Sequence, residues 1–349
     1  MKICHFVSLP KKEDLDKGFR VSGLTRSIRE TLEAEVELGV DAGFCNYQNE
    51  AGGDEVVLRR RTVQSKPWSW ALDADANIMS AIPDIEIFQR LPHRIGFLHA
   101  IPFYCFIREG WEKSAGMTSV YSLLRECEEA VCWSEYEAEY YRLLSDKPIH
   151  AVTRGVDLEY WRPQKGQEFR WHPCVVGMDI SQRFMKQPFT LMFAAKRAQR
   201  KIPRLKLNLF ALEQRMQSQW TMLLAKLNLE MIVENMVIGL WPEPLEMYNG
   251  ADILVSPTQW GLASRVAAEA LACGCPTILL EGQDDKPASA KCLDRPSSMA
   301  DAIVDLWERI EADPKGERRR ARELAETGYN VRDTAEELMQ IVRELVPQP

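Results

Sequence analysis

The amino-acid sequence predicts an α/β fold with two Rossmann-like domains facing a cleft. Apolar, strand-like runs alternate with helical segments in both halves of the chain, a pattern typical of parallel sheets covered by helices on both faces. The alternation is interrupted once, by a stretch rich in proline, glycine and charge. The chain has 349 residues, of which 46% are hydrophobic, so it is long enough for two domains that each have a core.

The first half starts with a strand over KICHFVSL and continues with a helix over LTRSIRETLEAEVELGV, where apolar residues recur at helical spacing. The N-terminal domain is predicted to span residues 1–165. Its other predicted elements are a strand over IGFLHAI, a helix over TSVYSLLRECE, a strand over AVCWS, a helix over EYEAEYYRLLS and an extended run over IHAVTRGV.

The interruption covers residues 162–185, and we predict the domain boundary there. A C-terminal domain is expected over 185–330, and an amphipathic helix, VRDTAEELMQIVRELV, is expected within 331–349. The second domain is predicted to contain a strand over FTLMFAA, a helix over PRLKLNLFALEQRMQ, a strand over MVIGLW, a short helix over EPLEMYNGA and a strand over DILVSP.

Composition excludes several classes of protein. The net charge of −7 argues against a general polyanion binder, although a local basic patch is compatible with it. The nine cysteines are odd in number and lack zinc-site spacing, which indicates reduced, mostly buried thiols. The N-terminus has no signal-peptide core and no apolar run reaches 18 residues. We therefore expect a cytoplasmic protein without a transmembrane segment.

The most informative segment is ADILVSPTQWGLASRVAAEALACGCPTILL, residues 251–280. It predicts a βαβ unit with a strand over 252–256, a helix over 263–273 and a strand over 277–280. Gly274 fits the left-handed position just after the helix. Ligands bind at the carboxyl ends of strands in open α/β sheets, and a helix N-terminus favours phosphate. The loop between strand and helix is therefore a predicted binding site.

Glu269 lies in this otherwise small and apolar helix, and two interpretations are open. The side chain either faces solvent or faces the cleft, where a carboxylate accepts strong hydrogen bonds from sugar hydroxyls.

Several motifs, in the correct order, resemble glycosyltransferase family 4, the retaining, metal-independent enzymes of the GT-B fold. The segment PTQWGLASRVAAEALACGCP is similar to the family's run Pro-Ser-x-x-Glu-Gly-x-Gly, four residues, then Glu-Ala-x-Ala-x-Gly-x-Pro. The resemblance extends to AVCWSEYEAEYY, VTRGVDLEYWRP, LMFAAKRAQRK and VIGLWPEPLEMYNGADILVSP. It implies the GT-B fold and a last helix that crosses back to the first domain.

The resemblance also implies residue roles. Glu269 would bind the ribose of a nucleotide-sugar donor, and Lys196 and Lys201 would hold its diphosphate. Arg197 competes with Lys196 for the first position, and a solvated basic loop is the alternative for all three. His99 would lie close to the transferred sugar, and the alternative for this residue is a purely structural role. The implied catalytic residues are thus His99, Lys196 and Lys201.

The sequence departs from the family's pattern at three positions. Gly261 replaces a Glu that contacts the donor sugar, Arg154 replaces an Asn, and Ala195 replaces a Gly. Recognition of the donor sugar is then left to Gln259, Trp260, Ser264 or backbone amides. Gly261, Leu262 and Ala263 belong to the same donor-binding loop. The resemblance implies that the acceptor binds mainly to the N-terminal domain. The candidate acceptor-binding residues there are Gly18 and Arg20, near the family's glycine-rich first loop, and Arg60.

The predicted function is retaining, metal-independent transfer of a hexose or pentose from a UDP- or GDP-linked donor to a hydroxyl acceptor. The acceptor is a glycan, a lipid-linked molecule or a small molecule, and a lipid acceptor implies peripheral membrane contact. No cofactor and no metal are expected, and the Asp73-x-Asp75 pair is discounted because it lies in a Trp-rich loop.

Two alternatives remain. Arg59, Arg60 and Arg61 stand near Trp68 and Trp70 in sequence, either as a surface strand with core aromatics or as an acceptor platform. Such a platform would suit DNA carrying hydroxymethylated pyrimidines, so nucleic acid stays open as an acceptor. The other alternative is a non-catalytic, nucleotide-binding GT-B-like protein, which the glycine at position 261 motivates.

Overall fold

The structure is a computed structural model that describes residues 1–7, 9, 23–58, 61–80, 85–98, 115–164, 174–178, 188–212, 217–231, 233–238, 244–258, 265–282 and 286–346. The chain divides into two compact units. The first comprises Met1–Gly155 and Asn330–Pro349, and the second comprises Val156–Tyr329. The first unit is therefore built from two separate stretches of chain.

The division between the units falls after Gly155, earlier than the predicted boundary at 162–185. Val156 and Trp161 explain the difference, because both are buried in the core of the second unit together with Tyr248. Burying a tryptophan removes a large apolar area from water, so this segment belongs to the core that it packs on.

The first unit contains a parallel sheet of six strands, in the spatial order Asp41–Cys45, Lys2–Phe6, Ala76–Met79, Arg94–Phe97, Glu129–Cys132 and Ile149–Ala151. Predicted elements over KICHFVSL, IGFLHAI, TSVYSLLRECE, AVCWS and EYEAEYYRLLS are confirmed. The strands are β1 (Lys2–Phe6), β2 (Asp41–Cys45), the antiparallel pair β3 (Glu55–Val57) and β4 (Thr62–Gln64), β5 (Ala76–Met79), β6 (Arg94–Phe97), β7 (Glu129–Cys132) and β8 (Ile149–Ala151). The helices are α1 (Gly23–Glu37), α2 (Trp68–Ala71), α3 (Ile85–Phe88), α4 (Ala115–Glu126) and α5 (Glu135–Arg142).

The second unit contains another parallel sheet of six strands, in the spatial order Val233–Ile238, Lys206–Leu212, Cys174–Met178, Ile253–Ser256, Thr277–Leu280 and Ala290–Cys292. Numbered within this unit the order is 3-2-1-4-5-6, that of the doubly wound dinucleotide-binding fold. Its strands are β9 (Cys174–Met178), β10 (Lys206–Leu212), β11 (Val233–Ile238), β12 (Ile253–Ser256), β13 (Thr277–Leu280) and β14 (Ala290–Cys292). Its helices are α6 (Pro188–Ala198), α7 (Gln217–Lys226), α8 (Pro244–Gly250), α9 (Arg265–Ala272), α10 (Pro296–Ala312) and α11 (Pro314–Gly328).

The start of the second unit differs from the sequence prediction in three elements. The predicted boundary contains β9, the predicted strand FTLMFAA lies in the helix α6, and the predicted helix PRLKLNLFALEQRMQ contains the strand β10. In α6, Leu191, Ala195 and Ala198 are buried while Phe189 and Phe193 are exposed, a helical spacing that a short apolar run conceals. In contrast, leucines at 205, 207 and 209 alternate with polar residues at the period of a strand.

The last helix, α12 (Val331–Leu345), belongs to the first unit and packs against α1. Ala34 of α1 forms a small buried cluster with Val331 and Ala335. The segment that follows β8 is tied to the same helix. The backbone N–H of Gly155 donates to Thr334 Oγ1 at 3.0 Å, and the Thr153 hydroxyl donates to Glu337 Oε1 at 2.9 Å.

The cysteines whose side chains the structure describes are buried free thiols, as the sequence predicts: Cys4, Cys45, Cys127, Cys132, Cys273, Cys275 and Cys292. Burial raises the pKa of Cys127 and Cys132 to about 12, so both remain protonated near neutral pH and are poor nucleophiles. Among the described helices, none combines the length and the apolar character that crossing a bilayer requires.

Gly155 provides a test of how the two stretches of the first unit are joined. A Cβ at this position would lie 2.3 Å from Val331 Cα and 2.4 Å from Val331 N, which are backbone atoms that cannot rotate away. We expect Gly155→Ala to lower the free energy of unfolding by at least about 2 kcal/mol, because the close packing has to open. Urea denaturation followed by circular dichroism measures the change.

Gly250→Ala is the matched control, because a Cβ at Gly250 meets no atom within 4 Å. An equal loss of stability in both variants would show that removing a glycine, rather than this close approach, causes the effect.

Candidate functional site

The candidate site lies at the point where the order of strands in the second sheet reverses. The first strand of this unit, β9, pairs with both β10 and β12. The strands β10 and β11 lie on one side of β9, and the later strands β12, β13 and β14 lie on its other side. In such sheets ligands bind beside the carboxyl ends of the strands at this switch point. The carboxyl ends here are Met178 of β9 and Ser256 of β12.

The helix α9 follows β12, so its amino end lies at the carboxyl edge of the sheet. Seven of its eight residues are buried, because alanines keep the helix slim enough to fit between the sheet and α11. Gly274 ends the helix with a φ of 72°, and its N–H bonds to Leu271 O at 2.8 Å while the Cys275 N–H bonds to Ala270 O at 2.9 Å. This is a Schellman ending, and the predicted left-handed role of Gly274 is confirmed.

Glu269 is completely buried, so the solvent-facing interpretation of this residue is wrong. Each of its carboxylate oxygens has a partner. The Tyr248 hydroxyl donates to Oε2 at 2.8 Å, and Arg265 Nε donates to Oε1 at 2.7 Å. Arg265 is itself only 4% exposed, so the ion pair is shielded from water. Such charge-assisted bonds fix the orientation of the carboxylate.

The phenol that contacts Glu269 is held in place by an aromatic neighbour. The rings of Tyr248 and Trp161 meet edge to face, with centroids 5.8 Å apart. The carbonyl of Trp161 accepts a hydrogen bond from Arg322 at 2.7 Å, and the same guanidinium binds the carbonyls of Ala272 and Leu158. The segment after Gly155, the end of α9 and α11 are thereby joined around the carboxylate.

The site offers two kinds of polar group. The carboxylate of Glu269 only accepts hydrogen bonds, and hydroxyl groups, like that of Tyr248, donate them to it. The amino end of α9 provides backbone N–H groups and a partial positive charge, which favour an anion. This combination suits a ligand that carries both hydroxyl and phosphate groups.

The basic residues predicted to hold the diphosphate lie at the other edge of the sheet. The helix α6 runs antiparallel to the strands it connects, so Lys196 and Arg197, in its last turn, lie near the amino ends of the strands. Lys196 Nζ donates to the carbonyl of Asn228, which precedes β11, and Lys201 lies 4.0 Å from Asp301 with 65% of its side chain exposed.

The prediction that Lys196, Arg197 and Lys201 lie beside the amino end of α9 is therefore wrong. The error arose because FTLMFAA was predicted to be the first strand of the second unit. The first strand is β9, and FTLMFAA lies in the helix that follows it. Ala195, taken as the counterpart of a loop glycine, is buried in α6. The residues that follow the true first strand, β9, are 179–187, and they include Arg183 and Lys186.

The interpretation of Trp68 as part of an acceptor platform is also wrong. Trp68 is 7% exposed, packs edge to face against Phe6, and donates from Nε1 to the carbonyl of Asn46 at 2.8 Å. Trp70 is half-buried, with Lys2 Nζ 4.4 Å from its ring centroid. Asp75 accepts a hydrogen bond from the backbone of Lys2 at 2.7 Å, consistent with a structural role.

Several predicted site residues lie outside the described residues: Gly18, Arg20, Arg59, Arg60, His99, Gln259, Trp260, Gly261, Leu262, Ala263 and Ser264. His99 comes two residues after the end of β6, and 259–264 connect β12 to α9. Of the remaining candidates, only Glu269 lies at the switch point. Arg154, which departs from the family's Asn, has its guanidinium 5.3 Å from the ring centroid of Trp133.

Sequence reasoning missed Tyr248 and Arg265, the two partners of Glu269. The spacing of Arg265 and Glu269, four residues apart on a helix, is a signal that the sequence contains. Tyr248 has no comparable signal, because it reaches the site from a different helix.

Solved structures of glycosyltransferases resemble this chain along its whole length. Sucrose-phosphate synthase from Thermosynechococcus elongatus is 16% identical, with 99% of each chain covered and a TM-score of 0.70. HepE from Anabaena, solved in complex with UDP-glucose, is 11% identical, with 99% of this chain and 100% of that one covered and a TM-score of 0.68. A glycosyltransferase from Rickettsia africae is 13% identical, with 100% and 99% covered and a TM-score of 0.64.

No family model matches the chain, and no curated protein matches it by sequence. The likeness at these identities concerns the fold. Together with the two parallel sheets, it confirms the predicted α/β fold of the GT-B type.

The buried pair of Arg265 and Glu269 gives a prediction about stability. Glu269→Leu removes the carboxylate that pairs with the buried Arg265 guanidinium, and we expect it to lower the free energy of unfolding by about 3 to 5 kcal/mol. The double variant Arg265→Met with Glu269→Leu removes both charges and should lose clearly less. Urea denaturation of both variants measures the difference.

Arg319 and Glu323 form a control pair with the same four-residue spacing, at 3.6 Å and with side chains 71% and 58% exposed. Arg319→Met and Glu323→Leu, singly or together, should each change stability by less than about 1 kcal/mol. If Glu269→Leu lowered the free energy of unfolding as little as these variants, the buried pair would not be important for the stability of the fold.

Proposed function

We propose that this protein is a glycosyltransferase, which moves a sugar from a nucleotide-sugar donor to a hydroxyl group of an acceptor. The observation that carries the proposal is the position of Glu269. It is a buried carboxylate of fixed orientation, on the helix that starts at the switch point of the second sheet. The resemblance to solved glycosyltransferases over nearly the entire chain supports the same activity.

The donor is proposed to bind with its ribose at Glu269 and its diphosphate at the amino end of α9. A carboxylate pairs with ribose hydroxyls because it only accepts hydrogen bonds and the hydroxyls donate them. HepE, the neighbour solved with UDP-glucose, makes a UDP-linked hexose the first donor to test. The loop 259–264, which joins β12 to α9, is proposed to contact the sugar.

The chemical difficulty of the reaction is departure of a nucleoside diphosphate from an oxocarbenium-like carbon. Transfer is proposed to proceed without a metal, so cationic side chains and helix N–H groups have to stabilise the leaving charge. Such preorganised electrostatics often contributes several kcal/mol. Arg183 and Lys186 follow the carboxyl end of β9 in the chain. They are therefore proposed, in place of Lys196 and Lys201, as the cations that stabilise the leaving diphosphate.

Retention of configuration is the finer part of the proposal, and it rests on the family resemblance of the motifs. The anomeric configuration of the new linkage, measured by NMR, tests it directly. Unchanged turnover in the presence of EDTA tests independence from metal ions. An inverted product would exclude the retaining mechanism without excluding sugar transfer.

The first experiment is a thermal-shift screen of UDP-, GDP-, ADP- and CDP-linked sugars, followed by an assay for release of nucleoside diphosphate. A ligand at a hundredfold excess over its dissociation constant stabilises the native state by about 2.7 kcal/mol. Binding with release supports the proposal. Binding without release for any donor and acceptor would favour a non-catalytic nucleotide-binding protein, the alternative motivated by Gly261.

The revised placement of the cations gives a separate prediction. We expect Lys186→Ala to lower kcat/KM for the best donor by roughly a hundredfold, since one charged group at a developing anion has an effect of this size. Lys201→Ala is the matched control and should leave kcat/KM nearly unchanged, because Lys201 lies at the opposite edge of the sheet. The reverse result would restore the assignment made from the sequence.

A further inference from the structure

The helix α6 has an exposed stripe that the proposed reaction does not use. Phe189 and Phe193 are 45% and 46% exposed, although each is one of the largest apolar side chains. Arg197 and Arg200 follow at spacings of four and three residues, and both are exposed. Because residues three and four apart share one face of a helix, two phenyl rings and two guanidinium groups form a single line.

The turn after α6 continues this line. The N–H of Gln199 bonds to the carbonyl of Ala195 at 2.9 Å, and the N–H of Arg200 bonds to that of Arg197 at 3.2 Å. Arg200 is therefore held in a helical turn rather than in an extended loop. The exposed Arg204 lies a short distance further along the chain.

The charge of this region is opposite to that of the protein. Residues 188–206 contain no Asp or Glu and six basic residues, Lys196, Arg197, Arg200, Lys201, Arg204 and Lys206, in a chain whose net charge is −7. Lys201 Nζ lies 4.0 Å from Asp301 Oδ1 of α10, and Arg204 lines a cleft together with Glu308 and Glu311 of the same helix, so Arg197 and Arg200 carry the excess charge. The stripe thus has two phenyl rings at its start and a local basic surface at its end.

The neighbouring helix α7 extends the same surface. Both α6 and α7 are crossovers that step in one direction along β9, β10 and β11, and right-handed crossovers of this kind lie on one face of a sheet. Lys196 Nζ contacts the carbonyl of Asn228, which follows α7. On α7, Met222 is 54% exposed and Lys226 is exposed as well.

We propose that this surface, formed by α6, α7 and the turn over 199–204, docks the protein on an anionic lipid membrane. Helices that lie in a bilayer interface combine exposed Phe, Leu or Trp with Lys and Arg. Phenyl rings enter the boundary between headgroups and acyl chains, while guanidinium groups pair with lipid phosphates. The inference is independent of the catalytic proposal, because no residue of this surface belongs to the switch-point site.

The two phenyl rings distinguish a bilayer from other anionic partners. Nucleic acid binds basic surfaces through phosphates, and its bases need accessible ring faces in a groove that follows the strand. A membrane provides both requirements together, an apolar layer directly beneath a layer of negative charge.

Flotation with vesicles tests the proposal. The full-length protein should float with vesicles of phosphatidylcholine and phosphatidylglycerol, and not with vesicles of phosphatidylcholine alone. Binding should weaken as salt is added, because exposed charges are screened. Duplex DNA is offered in a parallel assay. Binding to DNA but not to anionic vesicles, equal binding to both kinds of vesicle, or binding to neither would overturn the proposal.

Two double variants locate the surface. Arg197→Glu with Arg200→Glu should reduce partitioning into anionic vesicles by roughly thirtyfold or more, since each cation near such a leaflet contributes about fivefold. Phe189→Ala with Phe193→Ala should reduce it while leaving the salt dependence in place. A thermal melt of each variant verifies that it is folded.

Matched controls come from exposed residues elsewhere. Arg125→Glu with Arg319→Glu makes the same change in net charge at side chains that are 73% and 71% exposed, and Leu143→Ala removes an apolar residue that is 81% exposed. These variants should bind vesicles like the unmodified protein. If the controls lost binding equally, or if the α6 variants kept it, the assignment of this surface would be wrong.

Discussion

The second unit depends on one buried charge. Glu269 has no contact with water, and an isolated carboxylate in such a place would be expensive, so the fold has to bring donors to it. Arg265 does so from one turn earlier on the same helix, and Tyr248 does so from α8. Because Tyr248 meets Trp161, the polar contact also determines where the segment after Gly155 packs. A single carboxylate thus couples two helices and the entry of the chain into this unit.

The alanines of α9 serve the same arrangement. A helix with larger side chains would stand further from β12 and from α11, and Glu269 would then approach solvent. Gly274 ends the helix within one residue, so the chain turns directly into the strand β13. The amino end of the helix stays at the carboxyl edge of the sheet, where a binding group is useful, and its carboxyl end is sealed by the guanidinium of Arg322.

Much of this could be predicted from the sequence, and the misplacement of the basic residues has one physical origin. The βαβ unit around Glu269 is marked by strand-length apolar runs, a small-residue helix and a glycine at the end, so each local signal agrees with the fold. FTLMFAA is different, because seven apolar or small residues fit a buried strand and a half-buried helix equally well. Choosing the strand displaced the pattern by one element and carried Lys196 and Lys201 to the wrong edge of the sheet. The contact of Tyr248 with Glu269 could not be predicted for a different reason. It joins two helices that are distant in sequence, and such contacts produce no periodic pattern of residues.

The first unit is interrupted in sequence, and Gly155 and Val331 meet where its two stretches join. This has a consequence for biogenesis. Domains generally fold as units while the ribosome is still adding residues. The uninterrupted second unit can complete its core as soon as Tyr329 has emerged. The earlier-made part of the first unit, Met1–Gly155, must wait for α12, which is translated after the whole second unit, and until then the face of α1 around Ala34 has no permanent cover. A nascent chain of this topology is therefore most exposed to chaperones at its oldest part.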